Sequence, residues 1–159
     1  MGGEEGTVMP DYLQTTAGKF TFRVATDRLY TKAGVWAWFD GSNQRVRVGV
    51  ADYLQQHNGD VAFAHVKPLG TALGAGDQFA DIETIKAMVE LHSPASGTIV
   101  EVNPALDATP EVINQSPYEA GWLAVIQPSH WEVERAELLD AAAYLAVMRA
   151  QAQEELEKA

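Results

Sequence analysis

Asp81-Ile82-Glu83-Thr84-Ile85-Lys86-Ala87-Met88 sets a lysine at the point where two strands meet. Phe79 to Glu83 and Met88 to His92 read as strands, and Thr84-Ile85-Lys86-Ala87 is the tight link between them. A lysine at a hairpin tip is exposed on a long flexible stem. A modifying enzyme needs that access, and a swinging prosthetic arm needs that reach. A solvated turn lysine is the default for an isolated hairpin. A second turn, Pro94-Ala95-Ser96-Gly97, follows shortly after, and the chain offers almost no other chemistry. Both weigh against the default.

Outward from this hairpin the chain reads as short strands punctuated by turns. Phe20 to Ala25 alternates. Val35 to Asp40 and Arg45 to Val50 flank Asp40-Gly41-Ser42-Asn43, a strong hairpin signal. Ala51 to His57 reads as a short helix stopping near Asn58-Gly59. Val61 to Val66, Thr98 to Val102 and Gly121 to Gln127 read as further strands. Thr109-Pro110 predicts a short helix with Thr109 as N-cap. Ser129 and Glu132 have capping-box spacing and predict one long C-terminal helix, with Leu138, Ala142, Leu145 and Met148 as its buried stripe. The fold class is therefore mainly β, a compact sandwich or flattened barrel with a terminal helix. The expected division is a flexible extension over 1–18, a folded domain over 19–150 and a polar helix end over 151–159. Within the extension, Met1 to Gly6 is glycine-rich and acidic and is expected to be disordered.

The chemistry that can be excluded is broad. The 159 residues contain no cysteine, so there is no disulfide framework, thiolate metal site or cysteine nucleophile. A reducing cytoplasm fits that composition. The net charge of −11 argues against nucleic acid and favours docking to basic protein surfaces. No stretch is apolar enough to span a bilayer, and no secretory signal is visible. Gly74-Ala75-Gly76 lacks the third glycine of a dinucleotide fingerprint. His57, His65, His92 and His130 show no tight ligand spacing, and Ser93 and Ser96 lack a nucleophile elbow. No catalytic constellation emerges, so a carrier fits better than an enzyme.

At these residues the chain resembles the H proteins of the glycine cleavage system. Several blocks fit in order: Leu29-Tyr30-Thr31-Lys32 with Trp36, then Val48-Gly49-Val50-Ala51-Asp52-Tyr53, Gly59-Asp60-Val61, Glu83-Thr84-Ile85-Lys86-Ala87 and Ser93-Pro94-Ala95-Ser96-Gly97. Val102-Asn103-Pro104-Ala105-Leu106, Asn114-Gln115-Ser116-Pro117-Tyr118 and Gly121-Trp122-Leu123 follow. The resemblance implies the hybrid-motif β barrel-sandwich of lipoyl and biotinyl carriers, with short helices and a C-terminal α-helix. It implies lipoate in amide linkage to Lys86, with Ala87 completing the motif and Glu83 recognised by the attaching enzyme. Biotin carriers usually flank the lysine with methionines, whereas Ile85 and Ala87 stand here. Implied partners are a lipoate ligase or the lipoyl synthase machinery, and the enzymes between which the arm shuttles.

One position departs from the family pattern. Where members usually have His-Glu-Trp, this chain has Gly34-Val35-Trp36. The family glutamate helps hold a cationic aminomethyl cargo, and valine does not suit a cation. His57 falls where some members place a histidine lining the same arm pocket; a solvent-facing helix-end residue is the alternative. The departure at Val35 tilts the expected cargo toward sulfur, as in the H-like branch serving a heterodisulfide-reductase-like complex in cytoplasmic sulfur oxidation. The alternative is a glycine-cleavage carrier of the aminomethyl group. A further alternative is a non-lipoylated binding module with this fold.

Overall fold

The computed structural model describes residues 11–158. In chain order the elements are β1 (Tyr12–Ala17), β2 (Phe20–Ala25), β3 (Leu29–Tyr30), β4 (Val35–Asp40), β5 (Arg45–Val50), α1 (Asp52–Asn58) and β6 (Val61–Val66). Then come β7 (Ala72–Leu73), β8 (Gln78–Thr84), β9 (Met88–His92), β10 (Gly97–Val102), α2 (Val112–Gln115), β11 (Ala124–Pro128), α3 (Trp131–Glu134) and α4 (Ala141–Lys158). They form a six-stranded sheet in the order β3-β4-β5-β11-β10-β7, a three-stranded sheet β6-β8-β9 and the hairpin β1-β2. This mainly β barrel-sandwich agrees with the fold class read from the sequence.

Strand alternation divides the interior in two. Val35 and Ala37 of β4 face a mainly aliphatic core that includes Val48, Ile82, Ile99 and Ile126. Trp36, between them, faces an aromatic core with Tyr30, Tyr118, Tyr144, Phe22 and Met148. The Trp36 indole donates to the carbonyls of Val50 and Pro117, each at 3.0 Å. It lies directly over Gly49, where a Cβ would fall 2.5 Å from the ring. Only glycine permits that approach.

The N-terminal expectation needs correction. Residues 12–17 are not a loose extension but strand β1, paired with β2 from Tyr12 opposite Ala25 to Ala17 opposite Phe20. Residues 1–10 lie outside the described residues, and with them the expected disorder of Met1 to Gly6. The hairpin is held because Phe22, Val24 and Ala25 are buried. Phe22 meets Tyr53 of α1 edge-on, 5.1 Å between ring centroids. Arg23 N–H donates to Asp52 at 2.9 Å, and Gln56 Nε2 donates to the Thr21 carbonyl at 3.0 Å.

The C-terminal helix is likewise not continuous. After α3 the chain makes a 3₁₀ turn over Arg135–Glu137, and α4 starts only at Ala141. The break exists because Leu139 exchanges two 2.8 Å backbone hydrogen bonds with Tyr30, extending the sheet edge. Asp140 then starts α4 by accepting from Ala143 N–H at 2.8 Å. That start rotates the buried stripe to Ala141, Tyr144, Met148 and Ala152; Ala142 is exposed. Tyr144 stacks on Tyr30 at 4.6 Å. Ser129 makes no cap, and its hydroxyl pairs with the His130 ring instead. Thr109 does not cap α2 either; its hydroxyl donates back to the Ala105 carbonyl. The polar helix end persists through Lys158, with Ala152 as its buried anchor.

Candidate functional site

The link between β8 and β9 is built as the sequence suggests. Glu83 is opposite Met88, and residues 85–87 cross between the strands. Thr84 staples the crossing. Its N–H donates to the Ala87 carbonyl at 2.8 Å, and its hydroxyl accepts from Ala87 N–H at 3.1 Å. Ala87 thereby has a structural role in closing the turn. Ile82, fully buried, anchors β8 from below. Lys86 is exposed and Ile85 beside it is 96% exposed.

The tip end of β8 is clamped from the neighbouring strand. Val61 pairs with Thr84. Asn114 of α2 accepts from Val61 N–H at 2.9 Å, and its amide donates to Gln55 and to the Gly59 carbonyl, each at 3.0 Å. One buried-side amide therefore joins α2, the end of α1 and the first residue of β6. The tip is presented on a rigid support, which suits a group that must enter another protein's active site.

Lysine acylation removes a positive charge, so a lysine held in an ion pair would lose that partner on modification. Lys86 is in no ion pair among the described residues. Its position thus fits an amide-linked group. Glu83 stands on β8 three residues earlier. Its carboxylate is 3.9 Å from His65 Nδ1, and Asp81 is closer, at 3.0 Å. The hydrogen bond that the imidazole donates to Asp81 is the main cause that raises the His65 pKa above its ordinary value.

The other two residues singled out by sequence sit elsewhere. His57 is half-buried near the end of α1, its ring stacked on Tyr53 at 5.5 Å. It borders a small cavity of about 120 Å³ shared with Phe20, Phe22, Glu155 and Leu156. The β1–β2 hairpin and α4 therefore enclose it, which the sequence did not disclose. Val35 is 1% exposed and points into the aliphatic core opposite Val50. Its burial means that its replacement of a glutamate says less about cargo than its place in the motif suggests. Sequence reasoning did not bring Phe63, His65 and Asp81 together. They share the outer face of β6 and β8, and only strand register reveals that they meet.

The barrel-sandwich fold, with exposed Lys86 on a braced hairpin tip, suits a carrier of a lysine-linked prosthetic group. A family profile described as "Glycine cleavage H-protein" matches residues 28–151. The chain is 39% identical over 130 residues to a probable glycine cleavage system H protein of Thermococcus kodakarensis, covering 80% of this chain and 94% of that one. It is 41% identical over 126 residues to the glycine cleavage system H protein of Mycobacterium tuberculosis, covering 76% and 93%. The crystal structure of a glycine cleavage system H protein from Mycobacterium marinum superposes with a TM-score of 0.69 at 35% identity, covering 77% of this chain and 97% of that one. The chain belongs to the glycine cleavage H-protein family. Members of this family are carriers without catalytic activity that bear lipoate on a lysine. The tilt toward sulfur oxidation and a heterodisulfide-reductase-like partner finds no support in these relatives; the glycine-cleavage alternative fits them better.

Proposed function

We propose that this protein is the lipoyl carrier of a glycine cleavage system, with lipoate in amide linkage to Lys86 and the aminomethyl group as its cargo. The observation that carries the reading is the isolated, exposed Lys86 on a hairpin braced by Thr84 and Asn114. When bound, lipoate supplies a dithiolane that opens to two thiols and can hold a transferred group. The chain's own part is presentation. Thr84 fixes the turn, Lys86 offers its amine to the attaching enzyme, and Glu83 marks the site for that enzyme. Tethering then turns delivery between enzymes into a local event at high effective concentration. The partners are a lipoate ligase or the lipoyl synthase machinery, and the glycine cleavage enzymes. The cytoplasm is the proposed compartment, in keeping with a chain that has no cysteine. Among the described residues no helix is long and apolar enough to cross a membrane.

Intact-mass measurement of the protein from its native cells tests the attachment. A lipoyl mass that disappears in Lys86→Arg is the expected result. An unmodified native protein, or a mass gain that survives the substitution, overturns it. Aminomethyl loading by glycine decarboxylase tests the cargo, and a lipoylated protein that is not loaded overturns that half of the reading.

A further inference from the structure

His65 and Asp81 are 16 residues apart, so no ligand spacing is visible in the sequence. Strand register brings them together. His65 of β6 lies opposite Asp81 of β8, and Glu83 follows two residues further along β8. Residues two apart on a strand share a face. Ile82 between the two carboxylates is fully buried, which puts Asp81 and Glu83 on the outer face with the imidazole. One nitrogen or oxygen atom from each of the three side chains lies within 4.8 Å of the other two. His65 Nδ1 is 3.0 Å from Asp81 Oδ1 and 3.9 Å from Glu83 Oε2.

The three groups satisfy one another only in part. Nδ1 carries one proton at most and can donate it to one carboxylate. Asp81 takes it, and Glu83 faces the same nitrogen at a distance too long for a hydrogen bond. Among the described residues no Lys or Arg side chain pairs with either carboxylate. On its other side Asp81 lies opposite Glu90 of β9, and like charges in directly opposite positions repel. A divalent cation relieves this arrangement at once, because it binds the nitrogen and both carboxylates together.

We propose that His65 Nδ1, Asp81 and Glu83 form a binding site for a divalent transition metal of the zinc type. A tetrahedral zinc ion holds its ligand atoms about 3.3 Å apart, given bonds of about 2.0–2.1 Å. The separations of 3.0 and 3.9 Å straddle that value, so small side-chain rotations seat the ion. The nitrogen decides the class of metal. Mg²⁺ and Ca²⁺ take oxygen ligands, whereas an imidazole with two carboxylates suits zinc and its neighbours. The ion replaces the proton that Nδ1 otherwise gives to Asp81, and the two carboxylates balance its charge. Two paired strands hold the ligands, and the Phe63 ring stacks on the imidazole at 6.3 Å with 12° between planes, which steadies the ring plane. His65 is exposed, so a fourth position is open to water.

Zinc binding to the full-length untagged protein tests the site, after chelator treatment and with any lipoyl group kept oxidised so that it offers no thiolate. Calorimetry near neutral pH is expected to give one saturable equivalent of Zn²⁺, which a large excess of Mg²⁺ does not displace. In NMR spectra the bound ion is expected to shift the Nδ1 resonance of His65. His65→Ala, Asp81→Asn and Glu83→Gln are each expected to weaken binding at least about tenfold. His92→Ala and His130→Ala are expected to leave it unchanged. The absence of saturable binding, undiminished binding in any of the three ligand variants, zinc seated on another histidine, or displacement by Mg²⁺ overturns the site. Each of those results leaves the Lys86 assignment standing, because the metal site forms whether or not the lysine is acylated.

Discussion

Two hairpins of this protein are built alike and finished differently. In β1–β2 most apolar side chains are covered, with Phe20 at the turn end the exception: Phe22 packs on Tyr53, Ala17 is buried, and the Tyr118 hydroxyl donates to the Arg23 carbonyl at 2.7 Å. In β8–β9 one face is covered as completely, by the aliphatic core under Ile82, while the tip and outer face leave Ile85 and Met88 in water. The first hairpin lies outside the segment that matches the family profile, and the second lies within it. Burial marks β1–β2 as a stabilising addition to this chain. Exposure marks β8–β9 as the part that must meet other proteins. Substitutions in the two should therefore divide stability from modification.

The largest stability effect belongs to the covered hairpin. Phe22→Ala removes a buried ring and leaves a cavity against Tyr53, which costs about 3–5 kcal/mol. Urea unfolding should show the midpoint shift, and the folded fraction should still be lipoylated at the wild-type rate. A loss below about 1 kcal/mol would mean that the hairpin merely rests on the domain.

Asn114→Ala comes next and joins the two regions. It strands the Val61 N–H and the Gly59 carbonyl, for a cost of about 1–3 kcal/mol. Because Val61 lies opposite Thr84, hydrogen exchange should rise at the tip end of the lysine hairpin. Exchange that rises only in α2 would show that the clamp does not reach the tip.

Lys86→Arg should move stability by less than about 0.5 kcal/mol, since Lys86 is exposed and in no ion pair among the described residues. The same change should abolish lipoylation, because a guanidinium is not an acylable amine. A shift in the unfolding midpoint above about 1 kcal/mol would contradict the isolation of the tip.

What the sequence disclosed follows the same division. The Thr84-Ile85-Lys86-Ala87 link was legible because it is local: strand alternation and a short turn determine it without knowledge of distant partners. The Asp40 to Asn43 turn was legible for the same reason. β1 was not, because its stability comes from β2 and α4, and no local pattern in Tyr12–Ala17 announces them. The helix break was hidden likewise. Leu138 and Leu139 continue a helical-looking pattern, and only pairing with Tyr30 diverts them. Val35 shows the limit of reading a motif position as a pocket position. Its neighbour Trp36 faces the aromatic core, so Val35 must face the aliphatic one. The outer face around Phe63 needed the β6–β8 register, which depends on a bulge between Val61 and Phe63.

The smallest effect should come from His65, the one cationic side chain in the β6–β8 rows. Its pKa in the folded protein is raised, chiefly by the hydrogen bond to Asp81; burial opposes this, and the nearby negative charges of Asp81, Glu83 and Asp107 add to the rise. The unfolded chain has the ordinary histidine value, so the folded state binds the proton more tightly. The stability this contributes is fully present below the ordinary histidine pKa and is lost as pH rises through the folded value. It is small, because the imidazole is largely exposed and solvent screens the pair. NMR titration of the imidazole should give a raised pKa that returns toward the ordinary value in Asp81→Asn. The same titration bears on the contrast between the hairpins, because His65 carries the Phe63 ring on its face. If the Phe63 resonances shift with the His65 midpoint, the outer face of the lysine hairpin is one coupled surface. If they do not, Phe63 and His65 are neighbours that share a strand and nothing more.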